Sequence, residues 1–62
     1  MPSNICRKTD NGMTVEVTVD ANGRAEIALF GKVTTKARNA ATKFKGSTFK
    51  PEWIANQIFK NA

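Results

Sequence analysis

Residues 13–19, Met-Thr-Val-Glu-Val-Thr-Val, alternate strictly between apolar and polar. Met13, Val15, Val17 and Val19 share one side; Thr14, Glu16 and Thr18 share the other. A period of two, rich in β-branched residues, is the pattern of a half-buried strand, and it commits the chain to a sheet with one wet face. Asp20-Ala21-Asn22-Gly23 follows, and Asn-Gly supplies the positive φ angles of a tight hairpin turn. Residues 24–30 then return as a second strand, with Ala25, Ile27 and Leu29 facing inward. Upstream, Asp10-Asn11-Gly12 is another turn signal. It makes residues 4–9 a first strand whose Arg7 and Lys8 suit a sheet edge, where charge discourages stray pairing.

After Gly31 the period changes. Ala37, Ala40, Ala41 and Phe44 sit at i, i+3, i+4 and i+7, one stripe of a helix spanning about 35–45. Thr34 or Thr35 can cap its start, and Gly46 can end it in the left-handed conformation. Pro51 suits the first position of a second helix, at 51–60, with Ile54, Ala55, Ile58 and Phe59 on its apolar face. Phe49 is placed to staple onto Ile54 across the helix start. The expected fold is α+β: a three-stranded antiparallel β-meander followed by two helices, β-β-β-α-α, in one domain over 1–62. The sheet face of Val15, Val17, Val19, Ile27 and Leu29 is expected to pack against the alanine-rich helix.

The chain has 62 residues, one cysteine and no histidine. A domain this small is marginal on its core alone, so a partner or a homodimer is a live possibility. One thiol makes no disulfide framework and closes no zinc site, and catalysis by histidine is excluded. No apolar run reaches the ~20 residues that span a bilayer. Met1-Pro2-Ser3-Asn4 does not read as a signal peptide, so a cytoplasmic location is expected.

The net charge is +5. Residues 1–31 hold three basic and four acidic residues, a balance of −1; residues 32–62 hold seven basic and one acidic, a balance of +6. Such segregation favours an anionic partner. On a helical wheel, Thr35, Asn39 and Thr42 form a neutral crest opposite the apolar stripe of the first helix. Lys36 and Lys43 flank it on one side, Arg38 and Lys45 on the other. With Lys32 and Lys50 nearby, cations can neutralise phosphates while short polar groups reach sugars or bases. The same residues also suit a plain solvated face, with lysines snorkelling beside the apolar stripe.

The run from "TVEVTV" through the return strand to "TTKARNAATKF" resembles the C-terminal half of a double-stranded RNA-binding domain, over residues 13–45. That family ends in a meander followed by a helix that opens with lysines and continues with spaced alanines. The resemblance implies that Lys36 and Arg38 meet phosphates across a groove. The family's opening helix has no counterpart in the first twelve residues, and the second helix lies outside the resemblance.

Trp53 falls on the second helix nearly opposite its apolar stripe, near Lys60. It is a candidate for stacking on a base, for anchoring a protein interface, or for the core. Phe30 alternates away from Ile27 and Leu29 and is a second interface candidate. Asn56, Gln57, Lys60 and Asn61 would read base edges if the two helices formed a helix-turn-helix. For acid–base chemistry the only pair is Glu16 and Glu26, which could sit near each other across the hairpin on its wet face. Cys6, beside Arg7 and Lys8, is more simply a small, partly buried residue. No Gly-rich phosphate loop is present. The expectation is therefore a non-catalytic protein without cofactor or metal that binds DNA or RNA through the first helix. The alternative is a protein-binding module using Trp53, Phe30 and the sheet edge or face.

Overall fold

A computed structural model describes residues 5–62. The chain forms strands β1 (Ile5–Asp10), β2 (Met13–Val19) and β3 (Ala25–Gly31), then helices α1 (Thr35–Phe44) and α2 (Pro51–Asn61). The sheet is an antiparallel meander in the order β1-β2-β3. This is the expected α+β architecture, with boundaries that differ by a residue. Asn4, expected to open the first strand, lies outside the described residues.

The register places Cys6 against Val17, and Val15 and Val17 against Leu29 and Ile27. Met13, Val15 and Val17 are buried on this face, as the alternation requires. Thr14, Glu16 and Thr18 look the other way, opposite Phe30, Ala28 and Glu26. Glu16 therefore faces Ala28, and Glu26 sits two positions along, opposite Thr18. The carboxylate pair expected across the hairpin is offset, and Glu16 instead lies 4.0 Å from the Arg7 guanidinium.

The two turns exchange the roles their sequences suggest. At Asn11-Gly12 both φ angles are positive, 50° and 82°, and Asp10 pairs directly with Met13. This is the two-residue turn that matches strand twist. The Asn22-Gly23 hairpin is not that tight turn. Ala21, Asn22 and Gly23 form a three-residue loop in which Gly23 alone has a positive φ. The Asp20 carboxylate decides it, accepting from the amides of Asn22 and Arg24 at 2.8 and 3.0 Å. The Asp20 amide meanwhile donates to the Arg24 carbonyl at 2.9 Å and closes the pair.

Thr34 caps α1, its hydroxyl accepting from the Ala37 amide at 3.0 Å. Past the other end, the Gly46 amide donates to the Ala25 carbonyl and the Ala25 amide to the Ser47 carbonyl. These two bonds fasten the end of α1 to the start of β3. Pro51 takes the first turn of α2, and Lys50 before it is extended, as the proline ring demands.

Packing differs from expectation in one respect. The helix over the middle of the sheet is α2, against β1 and β2, while α1 lies mainly over β3 and alongside α2. Ile54, Ala55 and Ile58 are fully buried, and Ile54 and Ile58 are, with Val15 and Val17, the largest side chains completely removed from water. Two isoleucines bury more apolar area than the alanines of α1, so α2 takes the central place. Ala37, Ala40 and Ala41 are buried as well, and their small size lets α1 lie close to its neighbours. The Cα radius of gyration is 10.7 Å, close to the ~10.6 Å expected of a compact chain of this length.

Candidate nucleic-acid interface

The basic residues of α1 divide between two shallow grooves. Lys36, Asn39 and Lys43 line the first, between α1 and α2, with Ala40 and Phe44 as its floor and Asn61 on the far wall. Arg38, Thr42 and Lys45 line the second, where α1 meets Ile27 and Leu29 of β3. The crest expected between two rows is thus shared out: Asn39 goes with the lysines, and Thr42 with Arg38 and Lys45. The Thr42 hydroxyl donates to the Arg38 carbonyl one turn earlier, at 3.1 Å.

All these cations are exposed. Among the described residues none of them forms an ion pair. The one acid in residues 32–62, Glu52, sits on α2 and is met from β1 by Lys8, at 3.8 Å. Positive charge along α1 is therefore not cancelled locally. Lys36 and Lys43 are two helical turns apart, about 10.5 Å at 1.5 Å per residue.

Lys32 and Lys50 stand away from these rows. The stem of Lys32 passes over Gly12, and its amide donates to the Gly12 carbonyl at 2.9 Å. Asp10 and Thr34 border the same depression. Lys50 precedes α2 on the side of β1, near Ile5 and Cys6. The structure gathers five of the eight expected contact residues on α1, with Lys45 at its C-cap, and leaves these two at the margins.

Trp53 is 42% exposed, on the flank of α2 that meets α1. Its ring stands edge-on to Phe44, with centroids 5.4 Å apart. Phe49, expected to staple onto Ile54, lies with its ring 4.6 Å from that of Trp53 and is 54% exposed. Lys43 Nζ is 5.8 Å from the Phe44 centroid, so the lysine row ends beside an aromatic cluster. Phe30 is exposed on the opposite face of the sheet. It does not join Trp53 in one surface.

Three residues of this region had other roles in the sequence reading: Asn61 as a base-reading candidate, Phe44 in the apolar stripe of the first helix, and Phe49 as a staple onto Ile54. Asn61 enters the groove because α2 runs back along α1, a pairing that no local pattern announces. Phe44, Phe49 and Trp53 follow one another at spacings of five and four residues, a signal present in the sequence but split by the connection between helices. Asn56, a base-reading candidate, accepts instead from Lys8 Nζ at 2.8 Å.

The fold and its surface define a small α+β domain: a meander with one face covered by two helices, of which α1 is basic on its exposed side. Comparison of the chain with family models, curated proteins and solved structures gives no match. Among the described residues no helix is long and apolar enough to cross a membrane.

Proposed function

We propose that the protein is a non-catalytic nucleic-acid-binding domain that contacts phosphates through α1. The observation that carries this reading is the run of exposed cations on α1 that have no acidic partner among the described residues, while Glu52 is engaged by Lys8. Cations so placed release counterions when phosphates replace solvent, which is the main source of sequence-independent affinity. Lys36 and Arg38, the residues that the resemblance to a double-stranded RNA-binding domain points to, fall on the two flanks of the helix. A cytoplasmic setting is in keeping with the single thiol, Cys6.

The test is a binding titration against DNA and RNA, each as duplex and single strand, at low and moderate salt. Affinity that falls as salt rises supports the reading. No binding to any nucleic acid at low salt overturns it.

A second reading, a protein-binding module, is favoured by Phe30, half exposed on the uncovered face of the sheet. A large apolar side chain there suits a protein partner or a second copy. Sedimentation across a concentration range tests the second-copy form.

A further inference from the structure

We propose that the groove between α1 and α2 takes single-stranded nucleic acid, its phosphates along Lys36 and Lys43 and a base on the ring pair of Phe49 and Trp53. This rests on the phosphate-binding reading above and narrows it to one class of ligand.

In a domain of this size apolar side chains are scarce, yet Phe49 and Trp53 are left 54% and 42% exposed, side by side. Their centroids are 4.6 Å apart with ring planes tilted by 38°, so the two rings pack together as one partly exposed apolar patch. Phe44 abuts Trp53 edge-on at an interplanar angle of 89°, and Phe49 at 79°. Trp53 is thereby fixed from one side, and a platform held in advance costs little conformational entropy when a ligand arrives.

The lysine row leads to that platform. Lys43 lies against Phe44, and Lys36 sits two turns away on the same flank. The two residues are about 10.5 Å apart along the helix axis, so their ammonium groups can meet different phosphates of one strand. Asn39 stands between the two lysines with an amide that both donates and accepts. Charge beside stacking surface is the combination that binds single strands with little sequence preference, because every base has a π-face. In a duplex those faces are covered by neighbouring bases, so the ring pair would contribute nothing.

The experiment compares short single strands of thymidine or uridine nucleotides with a duplex of equal length. Wild type, Phe49→Ala, Trp53→Ala and Lys36→Ala are titrated at low salt, and Trp53 fluorescence is followed where present. Single strands are expected to bind more tightly than duplex and to quench Trp53. Phe49→Ala and Trp53→Ala are expected to lose roughly 5- to 140-fold in single-strand affinity, with duplex affinity nearly unchanged. Lys36→Ala weakens both. A preference for the deoxy or the ribo strand supports the inference equally, because the stacking surface meets the base. If Trp53→Ala does not fold, Phe49→Ala in the connection carries the test. Duplex bound as tightly as single strand, with Phe49→Ala and Trp53 fluorescence unresponsive, overturns this inference and leaves phosphate binding standing. No binding by wild type to any of the three overturns both.

Discussion

Lys8 Nζ lies 3.8 Å from Glu52 Oε1, joining the edge strand to the central helix, and the same ammonium donates to Asn56 at 2.8 Å. The contact ties the first basic residues of the chain to the one acid of its second half. It also separates two kinds of positive charge: one already engaged, the other, along α1, open to a ligand. Lys8→Ala and Lys36→Ala each remove one charge and leave the same net charge. Lys8→Ala is expected to lower stability by no more than about 1 kcal/mol, because Glu52 is largely exposed and water screens the pair. Lys36→Ala is expected to weaken nucleic-acid binding several-fold more than Lys8→Ala does. Equal losses of affinity would mean that total charge, rather than its position on α1, is what matters.

A β-carbon on Gly31 would overlap the carbonyl oxygen of Gly12, and Gly31 has φ +84°. The left-handed backbone alone makes Gly31→Ala cost roughly 1–3 kcal/mol, and the overlap adds to that. Gly23 has φ +77° but open space where its β-carbon would stand. Urea unfolding is therefore expected to show Gly31→Ala as clearly the more damaging of the two. Similar midpoints would show that the hairpin end can shift to make room.

The placing of α2 over the sheet gives a second stability test. Ile58 is fully buried, and Ile58→Ala is expected to cost about 2–5 kcal/mol. For a domain whose whole stability is on the order of 3–9 kcal/mol, that change approaches unfolding. Ala37 is also fully buried, and Ala37→Leu is expected to cost about 1–3 kcal/mol through overpacking. Thermal melting reads both. An unchanged midpoint for Ile58→Ala would contradict the central position of α2.

The strands were readable because alternation and β-branching act locally, and Met13–Val19 carries both throughout. The helices were readable for the same reason, through Ala37, Ala40, Ala41 and Phe44 and through Ile54, Ala55 and Ile58. What sequence did not disclose depends on competition between distant groups. The loop after β2 follows the Asp20 carboxylate rather than Asn22-Gly23. Which helix covers the middle of the sheet depends on side-chain volume summed over two elements. The candidate site was half visible: Lys36, Asn39 and Lys43 share a flank on any wheel. That Asn61 faces them, and that Phe49 meets Trp53, follows only once α2 folds back on α1.

The most direct test of the central claim is the salt dependence of binding for wild type, the double variant Lys36→Ala/Lys43→Ala, and Lys8→Ala. Binding constants are measured over a range of salt concentrations and plotted as logarithms. Each phosphate contact contributes about 0.7–0.9 to the slope, so losing two should flatten it by about 1.4–1.8. The account predicts that flattening for the α1 double variant and an unchanged slope for Lys8→Ala. The same slope in all three proteins would contradict it, and would place the phosphate contacts somewhere other than α1.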